Sequence, residues 1–154
     1  MLAARDVLAQ AMTADLFCGS GALGLEALSR GARHVTFVDN SKQALQTVRS
    51  NAGALGVDDD NNTIRHSVLP RLPALDAPLT LVFLDPPYET NLVTPTLEAL
   101  NAQDRLVDEA LIICETGGKC NACFDLPAMF SVEREKSYGD TMITLLTYQR
   151  LAGK

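Results

Sequence analysis

The sequence predicts an α/β fold: a mostly parallel sheet with helices on both faces, finished by an antiparallel hairpin. Three observations carry this. Apolar strand-like runs alternate with helical patterns, and repeated strand–helix pairs imply parallel strands joined by right-handed crossovers. The run Leu79-Thr80-Leu81-Val82-Phe83-Leu84 is almost unbroken in its apolarity, as in a strand covered on both sides. Two alternating runs, Phe130–Lys136 and Met142–Tyr148, are joined through Tyr138-Gly139-Asp140, the pattern of a hairpin.

In chain order, residues 2–12 carry Leu2, Val7, Leu8 and Met12 at helical spacing. Ala14–Phe17 reads as the first strand. Residues 22–29 place Leu23, Ala27 and Leu28 on one helical face, and Gly31 follows as a C-terminal stop. His34–Val38 is rich in β-formers and reads as the second strand. Ser41 is an N-cap for a helix with Ala44, Leu45 and Val48 on one face, ending near Gly53 or Gly56. Thr63–His66 is a short third strand. Residues 68–78 hold three prolines and read as irregular. Leu79–Leu84 is the fourth strand, residues 90–100 a helix, and Ala110–Cys114 the fifth strand. Residues 117–127 are too marked by glycine and proline for a helix.

With 154 residues, 47% of them hydrophobic, one domain spanning 1–154 is expected. No apolar stretch reaches the roughly 18 residues of a membrane helix, and the N-terminus lacks the basic-then-apolar order of a signal peptide. A cytoplasmic location and no membrane partner are expected. The four cysteines do not form a disulfide framework: Cys18 lies in a glycine-rich turn, Cys114 in a strand, and Cys120 and Cys123 form an isolated C-x-x-C. No zinc or other metal site is expected, since His34 and His66 are remote from that pair. The acidic stretch Asp58-Asp59-Asp60-Asn61-Asn62 lacks the glycine and distal glutamate of a calcium loop and reads as solvated. The net charge of −6 is the wrong sign for gripping nucleic acid by the overall field. An RNA substrate would have to be held by a local basic patch, by a ribonucleoprotein surface or by a further segment. Arg30, Arg33, Arg65 and Arg71 are candidate phosphate contacts and equally plain solvated charges.

Two motifs carry chemistry. Gly19, Gly21 and Gly24 spell G-x-G-x-x-G after the first strand, and Asp39 ends the second strand. Glycine lets a backbone turn approach a ligand closely, and an acidic side chain at Asp39 can accept two ribose hydroxyls. This fits a dinucleotide or S-adenosylmethionine. Asp15 at the first strand's end shifts the balance, because a carboxylate repels a pyrophosphate but suits an ammonium and a sulfonium. The second motif is Asp85-Pro86-Pro87-Tyr88 at the tip of the fourth strand. An exocyclic ring amine is a poor nucleophile until its lone pair is aimed. Asp85 can accept one N–H and the Pro86 carbonyl the other, with Tyr88 stacking on the base. Such a pair orients an amine for methyl transfer. A dinucleotide enzyme needs no such tip.

The stretch Asp15-Leu16-Phe17-Cys18-Gly19-Ser20-Gly21-Ala22-Leu23-Gly24-Leu25-Glu26-Ala27-Leu28-Ser29-Arg30-Gly31-Ala32 resembles the cofactor signature of the RsmD family of bacterial ribosomal RNA methyltransferases. Phe83-Leu84-Asp85-Pro86-Pro87-Tyr88 resembles its catalytic motif, and Lys136-Ser137-Tyr138-Gly139-Asp140-Thr141 its final hairpin. The resemblance implies a Rossmann-like Class I methyltransferase fold with a seven-stranded sheet. It implies transfer of a methyl group from S-adenosylmethionine to the N2 amine of a guanine in small-subunit (16S) ribosomal RNA, within an assembled or assembling subunit. A monomer is expected. Asp15, Gly19 and Gly21 would cradle the methionine part of the cofactor and Asp39 would hold the ribose; Phe17 and Asn40 would also bind the cofactor, and Ser67 or a nearby backbone group would meet the adenine. Asp85, Pro86 and Tyr88 would be catalytic. The family has a basic arm ahead of the domain, of which only Arg5-Asp6 stand at the expected end. Alternatives are amine methylation of another nucleic acid or of protein glutamine, and a catalytically silent methyltransferase-like binding module.

Overall fold

The computed structural model describes residues 5–75, 77–87, 90–117 and 124–151. Its elements are α1 (Arg5–Leu8), β1 (Met12–Leu16), α2 (Ala22–Ser29), β2 (His34–Asp39), α3 (Lys42–Ala54), β3 (Asn62–His66), β4 (Leu79–Leu84), α4 (Val93–Ala102), β5 (Leu106–Gly117), β6 (Phe130–Tyr138) and β7 (Thr141–Tyr148). Seven strands form one sheet in the order β3-β2-β1-β4-β5-β7-β6. Strands β1 to β5 pair parallel with one another, and β7 pairs antiparallel with both β5 and β6. The predicted mixed α/β sheet is therefore the observed one.

Strand alternation sends side chains to two cores. On β4, Val82 and Leu84 join Leu97 and Leu100 of α4 on one face, while Leu81 and Phe83 join Leu25 of α2 and Leu45 and Val48 of α3 on the other. Helix α4 buries Val93, Leu97 and Leu100, a single stripe at helical spacing. Helix α2 lies unusually close to β2. A Cβ built on Gly24 would stand 2.4 Å from Phe37 Cε1 and 2.8 Å from Val35 Cγ1, so this glycine sets the approach of helix to strand.

The differences from the sequence expectations have physical causes. The helix read over 2–12 is only Arg5–Leu8 where described, because Met12 and Thr13 are drawn into the sheet beside His34 and Val35. The Met12 N–H donates to Thr80 Oγ1 at 3.1 Å. Phe17 is not in β1: its φ of 59° turns the chain over the sheet tip, and the Cys18 N–H donates to the Val38 carbonyl. Strand β5 extends beyond Ala110–Cys114 at both ends, with a register shift against β4. Ser41 caps α3 as expected, accepting from the Ala44 N–H at 3.1 Å. Residues 58–62 form a pinned turn: the Asn61 amide donates to the Arg33 carbonyl and the Asn62 amide to the Asp58 carbonyl. Strand β6 is an exposed edge carrying Glu133, Arg134, Glu135 and Lys136, charges that discourage pairing with another chain. No helix among the described residues is long and apolar enough to cross a membrane.

Candidate active site

The strand order reverses direction between β1 and β4, and open parallel sheets form a crevice at the carboxyl ends of their strands at such a point. Here that crevice is a cavity of about 630 Å³. Phe17 and Gly19 come to it from the turn after β1, Asp39 and Asn40 from the tip of β2, and Ser67, Val68 and Leu69 from the loop after β3. Asp85, Pro86 and Pro87 come from the tip of β4, Leu92 precedes α4, and Glu115 lies near the end of β5.

The glycine turn and Asp39 are built as a unit. Asp39 Oδ2 accepts from the Gly19 N–H at 3.0 Å, and its Oδ1 from the Ser41 N–H at 2.9 Å. The Asn51 amide ties the Ser20 carbonyl to α3 at 3.1 Å. Gly19 has φ +54°, and a Cβ placed on it would meet nothing within 4 Å. A side chain there would be strained and would project into free space, which is the geometry of a backbone left bare for a ligand. The loop after β3 is held by the Ser67 N–H on the Asp39 carbonyl and the Ser67 hydroxyl on the Arg71 carbonyl. His66 Nε2 is 2.9 Å from the Asn40 carbonyl.

Two expected cofactor residues are not on the cavity wall. Asp15 is 1% exposed, and its Oδ2 accepts from the Gly24 N–H at 3.0 Å. Gly24 is the third residue of α2, and the cap position, Gly21, has no side chain to satisfy that donor. Asp15 thus caps the helix from a neighbouring strand. Gly21 has φ +80°, and a Cβ built on it would meet Val48 and Phe37, so the space on that side is already filled. In this structure both residues sit behind the turn that Gly19 presents and support it. Tyr88, with Cys120 and Cys123, lies outside the described residues.

Burial pushes the Asp15 carboxyl up to about 7; the Gly24 N–H pulls it down, and the charges of Asp85 and Asp39 push it further up. A folded-state value above the ordinary 3.8 means that the native protein holds this proton more tightly than the unfolded chain. Its contribution to stability is complete below about 4 and is lost as pH rises toward 7. Asp15→Asn keeps an acceptor for Gly24 and removes the titration. We expect denaturant midpoints of the wild type to fall between pH 4 and 7 relative to this variant, with the difference gone below pH 4. Parallel curves for the two proteins would show that Asp15 does not titrate in this window.

Asp85 is half-buried, and burial followed by the charge of Glu115 raises its carboxyl to about 6. It remains an acceptor at neutral pH. Glu115, Val68, Leu69 and Leu92 are wall residues outside the two motifs. An acidic residue closing a strand was the available signal for Glu115, but its position beside Asp85 depends on strand order.

Strand order and cavity together define a Class I methyltransferase fold. The solved structure of Escherichia coli yhhF superposes with a TM-score of 0.82 at 33% identity, covering 95% of this chain and 80% of that one. Haemophilus influenzae HI0767 superposes at 0.83 and 28% identity, covering 95% and 91%. The family model described as "Conserved hypothetical protein 95" matches residues 1–147. Ribosomal RNA small subunit methyltransferase D of Escherichia coli (strain K12) is 35% identical over 146 residues, which are 95% of this chain and 72% of that protein. The chain belongs to this family, the RsmD family of methyltransferases.

Proposed function

We infer that the protein transfers a methyl group from S-adenosylmethionine to the exocyclic N2 amine of a guanine in small-subunit ribosomal RNA. The observation that carries this is the charge of the cavity: among the described residues Asp39, Asp85 and Glu115 line it, and no lysine, arginine or histidine does. Such a wall repels the pyrophosphate of a dinucleotide and attracts a ligand bearing a sulfonium and an ammonium. The bare Gly19 turn fits close passage of that ligand, and Asp39 is placed to accept ribose hydroxyls. The RNA substrate rests on kinship with proteins named for ribosomal RNA methylation, the amine on the Asp85-Pro86-Pro87-Tyr88 motif, and guanine on the resemblance of the whole chain to the RsmD family.

S-adenosylmethionine, when bound, supplies an electrophilic methyl carbon whose bond to sulfur breaks, with its electron pair, as the new nitrogen–carbon bond forms. The protein's share is orientation. Asp85 Oδ accepts one N–H of the amine and the Pro86 carbonyl the other, which aims the nitrogen lone pair at the methyl carbon. The methylated nitrogen then carries one proton too many, and Asp85 or water receives it. Phe17, Leu69 and Leu92 add apolar wall to the site.

Titration calorimetry tests the cofactor. S-adenosylmethionine and its demethylated product are expected to bind, and NAD to give no heat. Tight NAD binding would overturn the assignment. For the substrate, nucleoside mass spectrometry of ribosomal RNA from cells lacking the gene should show loss of N2-methylguanosine. Unchanged nucleosides would favour a silent binding module.

A further inference from the structure

Glu115 has no part in orienting the amine, yet it faces the same cavity as Asp85. The β4–β5 register pairs Leu84 with Cys114, so one residue on, Asp85 just past the end of β4 stands beside Glu115 near the end of β5. Neighbouring strands lie roughly 5 Å apart. Among the described residues no salt bridge neutralises Glu115. Its charge, after burial, is what lifts the Asp85 carboxyl. Two acceptor-only groups stand side by side where a base must sit.

That pairing selects among bases. Ionised carboxylates accept hydrogen bonds and cannot donate them. Adenine sets its amine beside ring N1, and cytosine beside ring N3, each a lone-pair acceptor that a carboxylate repels. Guanine alone of the three sets its amine beside a ring N–H. We propose that Glu115 is a specificity residue that accepts the N1–H of the target guanine while Asp85 holds the neighbouring N2 amine. This rests on the guanine-N2 reading above and adds to it how the pocket rejects the other amine-bearing bases. An unpaired buried acceptor facing a lone pair costs more than a merely absent contact.

The probe is 2-aminopurine, which keeps the 2-amine of guanine but has a bare N1 acceptor in place of N1–H. The target guanine is first located by nucleoside mapping, then replaced by 2-aminopurine in RNA reconstituted into small ribosomal subunits. Single-turnover methylation by the wild-type protein should favour guanine by roughly ten- to a hundredfold, the range of one well-made base contact. Glu115→Gln offers an amide N–H to the bare N1, so the ratio should collapse by a gain on 2-aminopurine together with a loss on guanine. Glu115→Ala should lose guanine rate without that gain. Equal wild-type rates on both substrates overturn the proposal even if neither variant folds. So does a Glu115→Gln protein that slows both substrates by the same factor, as a merely structural residue would. A wild-type protein that makes no N2-methylguanosine removes the parent reading instead, a result distinct from an active enzyme with an unchanged ratio.

Discussion

Asp85→Ala is expected to lower the single-turnover rate of methyl transfer by roughly 10²–10⁴-fold, the range for a positioned side chain that handles a reacting proton or amine. Cofactor affinity should fall far less than the rate, because Gly19 and Asp39, the groups placed to hold the cofactor, are untouched and only one of the three cavity carboxylates among the described residues is lost. The split between rate and affinity separates an orienting role from a general disturbance of the site. The pH profile is the second readout. With its carboxyl raised to about 6 by burial and by Glu115, Asp85 is ionised at pH 7.5 and accepts the amine N–H. As pH falls through 6 it gains a proton and ceases to be a full acceptor. The wild-type rate should therefore fall toward tenfold per pH unit on the acid side. Asp85→Asn keeps one acceptor oxygen, so it should retain more activity than the alanine variant and lose the acid limb. A fully active Asp85→Ala protein would end the amine-orientation mechanism.

How far the sequence foretold this site depended on how local each cause was. Helix α2 and strand β4 are bounded by signals within a few residues of their ends, and both are found at the predicted boundaries. The start of β1 was not readable, because Met12 and Thr13 join the sheet through partners on β2 and β4 that only folding supplies. The end of β1 was misread by one residue, since nothing in the letters shows that Phe17 adopts a positive φ. Asp15 shows the deeper limit. An acid at a strand end before a glycine turn serves equally well as a ligand contact or as a tertiary cap for a helix whose cap residue is glycine. Only the position of the Gly24 N–H distinguishes the two. Glu115 was missed for the complementary reason. Its meaning comes from standing next to Asp85, and adjacency of β4 to β5 is a property of topology.

Asp39→Ala should produce the opposite signature to Asp85→Ala: weak cofactor binding first, with slow transfer only as its consequence. A ribose diol donating to an ionised carboxylate makes two charge-assisted bonds of about 1.5–3 kcal/mol each, so losing both predicts at least a hundredfold rise in Kd. The side chain also accepts the Gly19 and Ser41 N–H groups, so its removal leaves two backbone donors to find other partners and should cost roughly 1–3 kcal/mol of stability. A weakened cofactor affinity alone would not say whether the hydroxyl contact or the glycine turn was lost. A double cycle resolves this. Calorimetry is run on wild type and Asp39→Ala with S-adenosylhomocysteine and with its 2′,3′-dideoxy analogue. If Asp39 grips the diol, removing the hydroxyls should weaken the wild type by at least tenfold and leave the variant almost unaffected. Equal losses in both proteins would mean that Asp39 acts on the cofactor only through the turn it shapes.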